Sequence, residues 1–383
     1  MALAAGTLPT GGAVVRTVRR LFYKDISSAV VFVALAFLSL FYFIDFVDEL
    51  GAATRRGQGV LQAALYSVLE LPGHLYELMP IAVLIGTIYS LARMAQSSEF
   101  TILRTGGLGP GRALGLLACL GLAFAALTFV VGDYLAPWSN NQGAYWRAKF
   151  NGSLWLGRSG AWLKDRQTTP EGERSYSINV GAAVAGGVLG NIRIFEFDAN
   201  NTLLRRVAAT QAVVDSRSTW QLSDVTITRW TMPAGEAPTV REEKLPSLTW
   251  ASSLSSAVVA AAVLPLDTMS TLELRRYVQH LALNEQAAQR YEIQFWKRAL
   301  YPFACLVMMA LALPFAYLQA RGGGVSLKVF GGIMLGISFV LVNNVSGHLG
   351  LLRDWSPWLV AMTPSALYLL LSLGAFTWLV RYR

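Results

Sequence analysis

The chain has 383 residues, of which 54% are hydrophobic and 14% charged, and a formal net charge of +9. A soluble protein of this size carries about 25% charged residues, so the composition excludes an ordinary water-soluble globule. A mean hydropathy of +0.43 points instead to an integral membrane protein. The basic excess does not gather into the dense patch that nucleic acid selects. It flanks apolar runs, as the retention of Lys and Arg on the cytoplasmic side requires, so no nucleic-acid partner is expected.

Residues 1–14 are rich in Gly, Ala and Thr and read as a disordered tail. The first apolar run, Ile26–Ile44, follows Arg16, Arg19, Arg20 and Lys24 and lacks a small-residue cleavage motif. It reads as a retained transmembrane helix and not as a signal peptide. The second span is Leu78–Ala95, where Pro72 and Pro80 are expected to break or kink the helix start, and the third is Ala113–Val131. Residues 15–136 thus form a first membrane block.

Residues 137–268 contain no long apolar run. In SYSINV, Tyr176, Ile178 and Val180 share one face, with Ser175, Ser177 and Asn179 on the other. WQLSDVTITRW sets Trp220 with Leu222, then Val225 with Ile227, and IRIFEFDANNTLL ends in a turn signal at Asp198–Asn201. Period-two patterning with turn punctuation means antiparallel strands, here a sandwich or jelly roll. Residues 269–383 return to helix: Ser270 and Glu273 have capping-box spacing, and spans follow at Ala299–Leu318, Val329–Val345 and Trp358–Val380. The expected fold is an α-helical integral membrane protein of six transmembrane helices with an inserted extracytoplasmic β-jelly-roll domain. The N-terminal basic group, Arg93, Arg104, Arg112, Arg321, Lys328, Arg381 and Arg383 all fall on one side, expected to be cytoplasmic together with both termini. Arg55 and Arg56 stand on the other side.

The glycines of RTGGLGPG lack the GK[ST] of a phosphate loop and are not preceded by a strand. A Gly/Pro turn back into the membrane explains them better. SSEFTILRT is different. Ser97 or Ser98 can cap a short helix with Glu99 in its first turn, and Phe100, Ile102 and Leu103 give it an apolar side. Such a helix either lies on the membrane or docks in a partner's groove.

His74, His280 and His348 are scattered and read as structural. His74 with Glu77 offers only two ligands, too few for a metal, and the same holds for Cys119 and Cys305, which sit inside apolar segments. No GxSxG elbow or HExxH motif is present, so no catalytic residue, metal or cofactor is assigned. Glu70, Glu77 and Asp133 lie near span ends, where charge is costly. YWRAKF puts Arg147 and Lys149 among aromatics, as an interfacial anchor or, together with Arg55 and Arg56, as a contact to anionic lipid head groups. Asn343 and Asn344 in the fifth span suit helix–helix hydrogen bonds.

Five segments together resemble the LptF/LptG permeases of the lipopolysaccharide export ABC transporter, and the LptG side of that family more than the LptF side. They are FIDFVDELGAATRRGQG, MAQSSEFTILRTGG, GDYLAPWSNNQGAYWRAK, GAWLKD and FWKRALYPFACLVMMALALPF. The resemblance implies a multi-pass protein of the bacterial inner membrane with a periplasmic β-jelly roll. It implies an LptF-like permease, an LptB-like ATPase dimer and an LptC-like bitopic protein as partners, and lipopolysaccharide as cargo. ATP would be hydrolysed by the partner, leaving this chain no enzymatic activity.

It also implies that residues 97–104 are the coupling helix in the ATPase groove, with Glu99, Phe100, Leu103 and Arg104 making contact. Arg55, Arg56, Arg147 and Lys149 would line the lipopolysaccharide cavity, although the arginines stand further from FVDEL than the family's basic cluster does. Competing readings are an LptF-like paralogue, an ABC permease for another lipid, and a membrane sensor with a periplasmic ligand-binding domain.

Overall fold

The computed structural model describes all residues except 1–10, 56, 58, 98–109, 152–153, 156–159, 170–171, 185–187, 216–218, 232–238, 255–257, 260–268, 284–287, 318–323 and 382–383. The tail read at residues 1–14 lies mostly outside this set, and the first helix begins at Gly11.

Two units make up the chain. The first comprises residues 1–136 and 296–383, the second residues 137–295. The first holds α1, Gly11–Arg55, α2, Val60–Gln96, and α3, Pro110–Val130, with a π-helical turn at Val131–Leu135; α4, Ala136–Asn151, follows in sequence and belongs to the second but for its first residue. Gly57, at φ +69°, closes α1 in the left-handed conformation that costs glycine nothing. Both Pro72 and Pro80 lie inside α2, which is unbroken through them. Proline is tolerated in a span because packed neighbours re-satisfy the freed backbone groups. Six helices among the described residues are long and apolar enough to cross a membrane, so the chain is a multi-pass membrane protein.

The first unit is organised around α2. Of its most apolar window 72% is buried, against 11% for α1. Phe22, Ile26 and Val30 of α1, Met79 to Met94 of α2, Leu117 and Phe124 of α3, and Cys305 to Leu313 form one apolar core. The later helices are α5 Thr271–Leu283, α6 Gln289–Leu300, α7 Ala304–Tyr317, α8 Val325–Leu352 and α9 Pro357–Arg381, with a 3-10 turn at Tyr301–Phe303. Both cysteines are free thiols.

The strands of the inserted unit form a single antiparallel sheet. After β1 (Leu154–Trp155) and β2 (Ala161–Thr169), which both pair with β3 (Gly172–Val184), the order is β3-β4-β5-β6-β7, with β4 Val188–Phe197, β5 Leu203–Val214, β6 Thr219–Thr231 and β7 Thr239–Ala251. Every described connection from β2 onward joins neighbours, so the sheet is a meander, and it rolls. The rings of Tyr176 on β3 and Trp250 on β7 meet at 5.5 Å although three strands separate them in the pairing order. The end of β7 is stitched to β2, because buried Asp165 accepts from Ser252 Oγ at 2.7 Å, from the Ser253 backbone N–H at 3.1 Å, and from Ser253 Oγ.

A crease crosses the sheet. The ladders skip residues 181, 191, 210, 224 and 246 in turn. Asn191 (φ 52°) and Asp224 (φ 53°) adopt left-handed backbone there, and Pro246 has no N–H to give a ladder. The crease lets Leu222 and Val225, three residues apart, both face the core. Tyr176, Ile178 and Val180 face the core as the alternation requires, but Asn179 on the opposite face is also buried.

The Ser270–Glu273 capping box is formed. Ser270 N–H donates to Glu273 Oε2 at 2.8 Å and Glu273 N–H to Ser270 Oγ at 3.3 Å. It starts α5, whose Leu274, Tyr277 and Leu281 pack with Tyr291 and Phe295. His280 on this helix is half-buried, and desolvation lowers its pKa against the opposing pull of the Asp165 charge and a Lys164 backbone hydrogen bond. The unfolded chain therefore binds the extra proton first, so stability should fall as pH drops below about 6.5. Melting the full chain at several pH values between neutral and mildly acidic is expected to show this loss, and His280→Gln should reduce it.

Candidate functional site

Three polar constellations stand out in an otherwise apolar helical unit. The first lies where α1 ends and α2 begins. Asp45 and Phe41 share a face of α1, and Glu70 and His74, one turn apart, share a face of α2. His74 Nε2 lies 2.8 Å from Asp45 Oδ2, and the Phe41 ring stacks on the imidazole at 4.8 Å. Ligand atoms of Asp45, Glu70 and His74 all lie within 4.8 Å of one another, and each residue is partly buried.

The second constellation holds the π-helical turn. Arg298 of α6 is 7% exposed, donates from Nη2 to the Gly132 carbonyl at 2.5 Å, and lies 5.5 Å from the centroid of the Tyr76 ring. Gly132 is required there, since a Cβ would stand 2.3 Å from Tyr76 ring atoms. The rings of Tyr76 and Tyr301 meet at a tilt of 45°, with centroids 4.9 Å apart, and Tyr301 Oη donates to the Glu77 carbonyl at 2.5 Å. Next in sequence, Lys297 Nζ donates to the Asn343 carbonyl at 2.7 Å, in space left free by Gly347. A cation donating to a backbone carbonyl at span depth satisfies its charge without leaving the helix bundle.

The third lies at the far end of α2. Arg93 and Asp25 form an ion pair at 2.8 Å between α2 and α1. The Ser97 backbone N–H then donates to Arg93 O at 3.0 Å as the helix closes. Arg93 therefore ties the exit of α2 to α1 immediately before residues 98–109.

The family model described as the lipopolysaccharide export system permease LptF/LptG matches residues 20–381. The chain belongs to the LptF/LptG permease family. It is 28% identical to the lipopolysaccharide export system permease protein LptG of Escherichia coli K12 over 353 residues, 91% of this chain and 95% of that one. To the LptG of Haemophilus influenzae it is 24% identical over 364 residues, 93% and 97% of the two chains. This places the chain among the permeases of lipopolysaccharide export, with the family's LptG proteins as its curated relatives.

Of the residues that the resemblance to LptF/LptG permeases singles out, Arg55 is exposed in the last turn of α1. Arg56 lies outside the described residues, and so do Glu99, Phe100, Leu103 and Arg104 with most of the expected coupling helix. Arg147 and Lys149 fall on α4, but their side chains are not among those described. Sequence reasoning missed the Asp45–Glu70–His74 group because it paired His74 with Glu77. Glu77 is exposed, and His74 turns instead to α1, a partner 29 residues away in sequence. The i, i+4 spacing of Glu70 and His74 was the available signal. Arg298 lies in one of the segments that resemble the family, but nothing local announces that its partner is a carbonyl 166 residues earlier.

Proposed function

We propose that this chain is the LptG-type half of a lipopolysaccharide exporter. It would pair with an LptF-like permease, take up lipopolysaccharide in the bacterial inner membrane, and pass it through its β-domain toward an LptC-like bitopic protein. A separate LptB-like ATPase dimer hydrolyses ATP, and this chain needs no cofactor and performs no catalysis. The observation that supports the reading best is the family match, whose range of residues 20–381 takes in all six spans and the inserted sheet.

The physical argument agrees. Lipid A carries acyl chains and phosphates. The interior of the rolled sheet is lined by aliphatic and aromatic side chains such as Ile178, Leu222 and Trp220, which suit acyl chains kept from water. Arg55 and Arg56, with Arg147 and Lys149, would meet phosphates at the periplasmic surface, where guanidinium binds them in bidentate fashion. The open apolar face of α1, with Phe32, Leu35, Leu40 and Phe43 exposed, suits a second permease or lipid. Both termini and residues 97–104 would face the cytoplasm.

In this reading Glu99, Phe100, Leu103 and Arg104 dock in the ATPase, and the Arg93–Asp25 pair transmits the push to α1. Co-expression with an LptF-like permease and an LptB-like ATPase should yield a stable complex. Glu99→Lys should release the ATPase by at least tenfold in affinity while the membrane subunits stay paired. Undiminished ATPase binding by that variant would contradict the docking role.

A further inference from the structure

We infer that Asp45, Glu70 and His74 form a binding site for a first-row divalent cation, Zn²⁺ being the best fit, with one coordination position left open for an anionic oxygen. The donor set comes from two helices. Asp45 is presented by α1, while Glu70 and His74 are one turn apart on α2 and point the same way. Their ligand atoms already lie within 4.8 Å of one another. Tetrahedral zinc with bonds of about 2.0–2.2 Å needs its ligands roughly 3.3 Å apart, so rotamer adjustment closes the site without moving a helix.

The mixture of one imidazole and two carboxylates is the chemistry that distinguishes the ion. Calcium and magnesium prefer all-oxygen shells, whereas a nitrogen beside carboxylates favours zinc and its neighbours. Three protein ligands leave the fourth position to water or to an exchangeable ligand. The surroundings are suited to holding it. Phe41 stacks on the imidazole and fixes its plane, and side-chain exposures of 24% for His74 and 16% for Asp45 leave an entry path.

Charge supplies the reason for a metal here. FIDFVDEL brings Asp45, Asp48 and Glu49 to the last third of α1, and Asp45 meets Glu70 of α2. Carboxylates near the path of a phosphorylated lipid repel it. A divalent ion held by two of them cancels their charge and offers the open position to a phosphate oxygen. The phosphate as fourth ligand rests on the proposed lipopolysaccharide function; the metal site itself does not.

The test uses the full chain in detergent, stripped with chelator and titrated with Zn²⁺, and with Co²⁺ as a spectroscopic reporter. One equivalent per chain is expected, with Co²⁺ giving the ligand-field bands of a four-coordinate site. Glu70→Gln, which leaves the His74–Asp45 bond intact, and His74→Gln, which can still donate to Asp45, should each weaken binding by more than the 10- to 100-fold lost when an outer-shell partner is removed. Equal binding by wild type and both variants, or no stoichiometric binding by wild type, would overturn the site. Addition of inorganic phosphate to the Co²⁺-loaded chain should shift its spectrum. Metal binding with no response to phosphate would refute the open position and leave the export function untouched, since no lipopolysaccharide enters the experiment.

Discussion

Gly86→Val should abolish accumulation of the folded chain. Gly86 lies on α2 where α1 crosses it, and a Cβ at this position would stand 2.6 Å from both the Cα and the N of Val30. Those are backbone atoms in the middle of a span and cannot rotate away, so the helices must separate. The pair they would leave is the central contact of the first unit: Ile26 and Val30 of α1 are fully buried against Leu84, Ile88 and Leu91 of α2. Overpacking by a single methylene costs about 1–3 kcal/mol even where side chains can adjust, and here three heavy atoms meet a wall. A stability of about 5–15 kcal/mol does not absorb that with margin. Gly374→Ala is the control. No atom lies within 4 Å of its would-be Cβ, and the better helix propensity of alanine makes it neutral or slightly stabilising. Fluorescence-detected size exclusion of detergent extracts distinguishes the two outcomes.

The second large effect is expected at Arg298. Arg298→Met keeps length and apolar bulk but removes the donor to the Gly132 carbonyl and the cation over Tyr76. A hydrogen bond to a charged group contributes about 1.5–3 kcal/mol, and a desolvated cation–π contact adds up to about 2 kcal/mol. The carbonyl left behind belongs to a π-helical turn, a local distortion that tends to occur at functional sites. The variant should melt well below wild type and export poorly. Arg298→Lys should recover only part, because an ammonium replaces the charge but not the planar fork that reaches a carbonyl while lying over a ring. Equal melting of Met and wild-type chains would show that the turn is held by other contacts.

How far the sequence alone reached depended on how local each signal was. Spans were visible because apolar runs of membrane length need no partner to be recognised. The Ser270–Glu273 box and the Asp198 turn were equally local, and in the latter Asp198 Oδ1 accepts from the Asn200 and Thr202 backbone N–H groups at 2.9 and 2.8 Å. The phase break between Leu222 and Val225 was visible in the alternation, yet its cause, a crease continuing through Gly181, Asn191, Thr210 and Pro246, exists only once five strands are aligned. Of the break or kink expected at Pro72 and Pro80, the break does not occur, since whether a proline interrupts a helix depends on what surrounds it. Of the candidate sites, the coupling segment was legible as a short amphipathic helix and the basic residues as anchors or head-group contacts, while the choice of the ATPase groove and of the lipopolysaccharide cavity came from the family resemblance. The Asp45–His74 and Arg298–Gly132 pairings are long-range, and no reading of one segment at a time brings them together.

Entry of lipopolysaccharide into this permease's own rolled sheet can be followed by crosslinking. A photoreactive residue at Leu245, which packs against the β-domain core, is introduced into the chain, and the full complex with an LptF-like permease and an LptB-like ATPase is reconstituted in lipopolysaccharide-containing vesicles. If the sheet takes up lipopolysaccharide, an adduct should accumulate on addition of ATP and be lost with Glu99→Lys. An adduct of the same yield without ATP, or none under any condition in an ATPase-active complex, would contradict it.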